Sequence, residues 1–252
     1  MIDAHAATQA AGSAIGAGYG SDYLDWKKWG HAAFGSLTRS ERTYFSAEIK
    51  RSKKTFPKGT NVLEVGFGNG SFLAFARQQE WNVVGTEVNK ELVGAARKGG
   101  FNVAHTADLS GFPDDGFELV VAFDVLEHMP QSAIVDFMLD VKRVLKPGGH
   151  FIARCPNGDS PFGLVNQNGD VTHVTSIGRG KARYFATRAD LELLYVGGEA
   201  EPIWGTSALD MAQRAIGLPI KAMVNICTNA IIYKSNVAFC SKNLTLVYKR
   251  SA

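Results

Sequence analysis

The run Val62-Leu63-Glu64-Val65-Gly66-Phe67-Gly68-Asn69-Gly70 constrains this chain more than any other stretch, because an apolar segment meets three glycines at alternate positions. It reads as the first strand and ligand-binding turn of a doubly wound α/β domain: glycine lets the backbone turn sharply and approach a ligand where a Cβ would intrude. A dinucleotide fingerprint, G-x-G-x-x-G, requires its third glycine at position 71, which is Ser71 here. The spacing therefore argues against NAD.

Strand and helix patterns alternate after this turn, the signature of a parallel sheet with crossover helices. The predicted strands are 61–65, 82–87, 101–105, 118–123, 149–155, 200–205 and 243–249, and the predicted helices 71–80, 89–99, 131–145 and 187–197. Lys142, Arg143 and Lys146 suit the negative end of the helix dipole, and Pro147-Gly148-Gly149 stops that helix. Residues 1–20, rich in Ala and Gly, predict a flexible N-terminus. Residues 21–56, with Tyr23, Trp26, Trp29, Phe34, Tyr44 and Phe45, predict a helical extension or lid. The main domain is expected at 57–252, with an irregular loop at 157–185 and an apolar helical insertion at 208–233 before the last strand. Pro219, Lys221, Asn225 and Asn229 make that insertion a poor membrane span; lid, dimer face and interfacial helix all fit it.

With 252 residues, 45% of them hydrophobic and 20% charged, the chain can bury a core of one large domain. A net charge of +3 spread over small clusters does not call for nucleic acid. Cys155, Cys227 and Cys240 are odd in number without C-x-x-C spacing, and the first residues lack a basic stretch leading into an apolar one. Both features predict a cytoplasmic protein with reduced thiols.

Three further segments carry chemistry. Glu87 ends the second strand 21 residues after Gly66, where a carboxylate can accept both hydrogen bonds of a ribose diol. Ala107-Asp108-Leu109 follows the third strand. Asp124-Val125-Leu126-Glu127-His128 follows the fourth, at the switch point of an open sheet. This ordered set, together with the segment from Phe117 through Lys146-Pro147-Gly148-Gly149, resembles class I S-adenosylmethionine-dependent methyltransferases of the type-11 subgroup, over about residues 61–156. The resemblance implies a Rossmann-like, mostly parallel seven-stranded sheet with helices on both faces. It also implies S-adenosyl-L-methionine as cofactor, held by Glu64, Gly66, Gly68, Gly70, Glu87, Asp108 and Leu109, with Asp124 at its edge.

Asp124-x-x-Glu127-His128 has two readings. It resembles the acidic-x-x-Glu-His cluster that holds Mg²⁺ in some quinone and RNA-end methyltransferases, and it also occurs in relatives where it caps a helix and shapes the pocket. The expected site contains no metal. Methyl transfer to oxygen needs a proton acceptor, and His173 is the first candidate, oriented by Asp170 or Asp159; His128 is the second. The string Pro156-Asn157-Gly158-Asp159-Ser160-Pro161-Phe162-Gly163 with Gly169-Asp170-Val171-Thr172-His173 looks like methyltransferases of bacterial cell-surface glycan clusters. The expected activity is O-methylation of a sugar or related small polar acceptor. The partners are a small molecule or glycan and the inner membrane face through 208–233, not nucleic acid. Two alternatives are a metal-assisted O-methyltransferase of a quinone-like phenol at the membrane and a non-catalytic module that only binds the cofactor.

Overall fold

The computed structural model describes Lys27 and residues 34–252. The sequence readings for residues 1–20 and for Tyr23, Trp26 and Trp29 lie outside the described residues. Helix α1 (Arg39–Lys50) starts with a reciprocal cap: the Glu41 amide donates to Thr38 Oγ1 at 3.1 Å, and the Thr38 amide donates to Glu41 Oε2 at 2.8 Å. There follow β1 (Asn61–Val65), α2 (Ser71–Gln78), β2 (Asn82–Glu87), α3 (Lys90–Lys98), β3 (Val103–His105), β4 (Phe117–Phe123), α4 (Gln131–Val144) and β5 (Leu145–Pro156). The chain continues through α5 (Leu164–Asn168), α6 (Arg179–Ala189), β6 (Glu192–Gly198), α7 (Ala208–Thr228) and β7 (Asn243–Lys249).

The seven strands are ordered β3-β2-β1-β4-β5-β7-β6, and only β7 runs against its neighbours. Strand order reverses between β1 and β4, where Leu63 pairs with Val84 on one side and Val120 on the other. A crevice opens at the carboxyl ends of strands at such a reversal, and this one places the site.

Both sheet faces are covered, so the central strands are mostly apolar, interrupted by Glu64 on β1 and Glu118 on β4. Val120, Ala122 and Phe151 pack with α4 and α6, and Phe151 stacks on Tyr248 with ring centroids 5.8 Å apart. Leu119, Val121 and Ile152 face the other way against Phe72 and Phe75 of α2 and Phe45 of α1. The three cysteines are unbridged, with Cys155 buried on β5.

The structure corrects the sequence reading between 179 and 205. The predicted helix 187–197 is the end of α6 followed by strand β6, and 200–205 is not a strand. The helix stops because Asp190 adopts a left-handed backbone, φ 50°, a position where the absence of glycine hid the boundary. Helix α4 ends at Val144, one residue before its expected end, and β5 already begins at Leu145.

Candidate active site

The turn after β1 has positive φ at Gly66, Gly68 and Gly70. A Cβ on Gly66 would lie 2.7 Å from Val125 Cγ2, and one on Gly70 would lie 2.6 Å from Phe34 Cζ. These two glycines therefore permit the close crossing of the β1 and β4 turns and the seating of Phe34. Glu64 reaches from β1 to the Leu73 amide in the first turn of α2, whose capping residue, Gly70, has no side chain. Burial, and next the nearby Glu87, push its carboxyl well above the usual carboxylate range.

Glu87 is aimed by backbone. Its Oε2 accepts the Gly68 amide at 3.1 Å, and Oε1 accepts those of Val88 and Asn89 at 2.8 and 3.0 Å. Burial raises its pKa, and these three amides act the other way. A carboxylate oriented in this way beside a glycine turn is suited to a diol. The crevice is about 610 Å³, within the range for a drug-sized ligand, and it is lined by Glu64, Gly66, Gly68, Glu87, Asp124, His128 and His173.

Three sequence candidates are not among the lining residues. Gly70 caps α2, Leu109 is buried in the core, and Asp108 accepts the Ser110 amide at 2.7 Å and its hydroxyl at 2.6 Å. Thr106 and Ala107 face the crevice at that level instead. Three residues that the sequence did not single out also line it: Arg154, bound to Asp124; Lys27, whose Nζ is 2.8 Å from Asp170 Oδ2; and Asn89, the cap of α3.

Below Asp124 the two candidate bases meet. The rings of His128 and His173 are 4.6 Å apart and nearly perpendicular. The Val174 and Thr175 amides donate to the Glu127 carbonyl at 2.9 and 3.0 Å, which brings the loop carrying His173 against the β4 turn. His173 Nδ1 lies 3.2 Å from the Gln167 carbonyl, which can only accept, so this nitrogen carries the proton and Nε2 is basic. The Thr172 hydroxyl donates to Asp170 Oδ1 and accepts from His128 Nδ1 at 2.9 Å, which fixes the same tautomer there. Burial, then the neighbouring His173, lowers the His128 pKa to about 4. Although its burial acts the other way, Asp170 is held below the usual carboxylate range by Lys27 and Thr172. His173 Nε2 is 3.7 Å from Asp170 Oδ2 and 3.9 Å from Glu127 Oε1. Asp159, the other expected orienting group, instead accepts the Arg179 amide at 2.6 Å at the start of α6.

Glu127 is 1% exposed, and among the described residues neither of its carboxyl oxygens finds a hydrogen-bond partner. Burial, then Asp124, pushes its pKa well up. One oxygen of Glu127 and one nitrogen each of His128 and His173 lie within 4.8 Å of one another. Asp124 is committed to Arg154, so the donor set differs from the expected Asp124, Glu127 and His128: it has two imidazoles and one carboxylate.

Residues 37–195 match the methyltransferase domain family. The chain belongs to that family. A segment of 103 residues is 33% identical to a probable S-adenosylmethionine-dependent methyltransferase of Mycolicibacterium smegmatis, spanning 39% of this chain and 39% of that relative. Among solved structures, a SAM-dependent methyltransferase from Archaeoglobus fulgidus superimposes with a TM-score of 0.62 at 18% identity, covering 92% of this chain and 100% of that one. One from Mesorhizobium loti gives 0.58 at 15% identity, covering 82% and 97%. These two share the fold. The cofactor of this methyltransferase domain is S-adenosylmethionine, and the glycine turn with its amide-oriented Glu87 fits it.

Proposed function

We propose that this methyltransferase domain transfers a methyl group to an oxygen of a sugar or related small polar acceptor in cell-surface glycan biosynthesis. Its place is the cytoplasm, peripheral to the inner membrane face. The described part of the proposed 21–56 lid contributes Lys27, Glu41, Tyr44 and Phe45 to the crevice wall, and loop 157–185 forms the acceptor side of the 57–252 domain. Glu64, Gly66, Gly68 and Glu87 hold the cofactor, with Asp124 at its edge; Gly70 shapes the turn from behind, and Asp108 and Leu109 lie outside the crevice wall. When bound, S-adenosylmethionine supplies an electrophilic methyl group on a sulfonium.

The observation that carries the oxygen reading is the fixed tautomer of His173 in the crevice wall, with its basic Nε2 beside Asp170. His173 takes the acceptor hydroxyl proton at Nε2, and the ionised Asp170 stabilises the imidazolium that results. His128 is the second candidate for that role. Incubation with methyl-labelled cofactor and a panel of sugar nucleotides and glycans tests the proposal. Label in an ether that survives mild alkali is the expected result, and cofactor binding without label in any acceptor would favour the non-catalytic module.

A second reading rests on Glu127, a buried carboxyl whose oxygens find no hydrogen-bond partner among the described residues. With His128 and His173 it could hold a cation that binds a phenol oxygen, for a quinone-like acceptor at the membrane. Two imidazoles and a carboxylate suit a borderline transition ion better than Mg²⁺.

A further inference from the structure

Helix α7 is inverted for an element facing water. A surface helix turns its apolar stripe to the core and its charges outward. Here Asp210, Arg214 and Lys221, the charged residues of the helix, are half-buried against the body. Arg214 donates to the Pro202 carbonyl at 2.6 Å, and Lys221 to Glu201 Oε1 at 2.5 Å. Asn225 Oδ1 accepts the Cys240 amide at 3.0 Å, and Asn229 bonds both backbone groups of Val237 at 2.9 Å. The outward face presents Leu209, Ile216, Ile220, Met223, Ile226 and Ile231, each more than half exposed. None of the exposed residues from Ala208 to Tyr233 is charged.

Two details favour lipid over a second copy of the chain. A protein interface surrounds its apolar centre with a polar rim, but on the exposed arc of α7 itself Gln213 is the one amide or charged side chain. Interfacial aromatics stand at the ends: Trp204 is 75% exposed just before the helix, and Tyr233 followed by Lys234 closes it. The arc also continues toward the site. Tyr233 lies 6.0 Å from Phe239, which lies 5.8 Å from Phe162 on the acceptor loop, and Phe162 is 48% exposed. A membrane-crossing orientation would move Arg214 and Lys221 from their partners into hydrocarbon, where a charged side chain is costly.

We propose that α7 and the Tyr233, Phe239, Phe162 ladder form a lipid-docking surface, with α7 lying along the bilayer interface and the acceptor loop held at the membrane. This deepens the peripheral placement proposed above and does not depend on which acceptor is methylated. The test is flotation of the full chain with vesicles of phosphatidylethanolamine and phosphatidylglycerol. The wild type should float, and an I216D/I226D variant should lose about tenfold or more in partitioning, as expected for at least 1.4 kcal/mol. Its circular dichroism, melting midpoint and S-adenosylhomocysteine affinity should be unchanged, so a failure of docking is separable from a failure of the methyltransferase reading. In a Cys240→Ser background, a polarity-sensitive fluorophore on the exposed Cys227 should shift to the blue when vesicles are added. A wild type that stays unfloated, a variant that floats equally well, or no spectral shift would overturn the proposal. A dimer that the variant converts to monomer, without flotation, would overturn it in favour of a second copy. Resistance to alkaline carbonate extraction from cell membranes would overturn it in favour of a spanning helix.

Discussion

Arg154 on β5 clamps Asp124 at the end of β4, with Nε 2.8 Å from Oδ1, one terminal nitrogen on Oδ2, and the other donating to the Tyr44 hydroxyl at 2.9 Å. Asp124 sits at φ 57°, a conformation disfavoured for a side-chain-bearing residue. The fork therefore joins α1, β4 and β5 around a strained backbone at the mouth of the crevice. Arg154→Ala should destabilise the fold by about 1–2 kcal/mol, a figure discounted because the Asp124 side chain is 44% exposed. Arg154→Lys should recover only part, since an ammonium cannot reproduce the fork. Thermal unfolding of the three proteins checks this, and equal midpoints would show that the clamp has no structural weight.

Cofactor affinity should depend on Glu87. Its removal deletes a charge-assisted acceptor, so Glu87→Ala should weaken S-adenosylhomocysteine binding by about 1.5–3 kcal/mol. Calorimetry on the folded variant measures the loss. Unchanged affinity would mean that the diol lies elsewhere.

His173→Ala should lower kcat by about 10²–10⁴-fold with little change in cofactor affinity, because a general base acts in the transition state. His128, with its pKa lowered to about 4, stays neutral from pH 5 to 8 and contributes no limb to the rate profile in that range. A His173→Ala enzyme with near-normal kcat would reduce the loop histidine to a structural role.

Prolonged chelation should leave turnover intact. If activity falls and returns on adding a divalent ion, the group of Glu127, His128 and His173 becomes a cation site, and Glu127→Gln should then abolish the rescue.

His150 on β5 is buried against Phe56, and its pKa is lowered to about 4 by burial, then by Lys54 and Lys249. Its folded value lies below the unfolded one of about 6.5. Below that value the unfolded chain binds the proton more readily, so stability present above pH 6.5 is lost as pH falls toward 4. Melting midpoints recorded across that interval should decline less steeply in His150→Asn than in the wild type.

The strands that place the cofactor were legible because their evidence is local. Val62, Leu63 and Val65 are interrupted by a single carboxylate, Leu119 to Ala122 is an unbroken apolar run, and the glycine spacing fixes the turn between β1 and α2. Strand β6 was not legible: it lies at the sheet edge with its residues mostly half-buried, so Leu193, Leu194, Tyr195 and Val196 lack the alternation that marks a strand. The histidines were found as types of residue, but their apposition was not, because it depends on two amides 47 and 48 positions from Glu127 that bond one carbonyl. The commitment of Asp124 to Arg154 was equally hidden, since partners 30 residues apart meet only through the pairing of β4 with β5.

The acceptor loop leaves and rejoins the body at one point, where the Gly158 amide donates to the Ile177 carbonyl at 2.9 Å and Asn157 bridges Ile177. A segment closed at its base can lengthen or shorten at an entropic cost that grows only as the logarithm of its length. On the proposed reading, the stretch between Ser160 and Asp170 can therefore be exchanged for one of another length while Asp170, His173 and the β1 to β2 half stay in place.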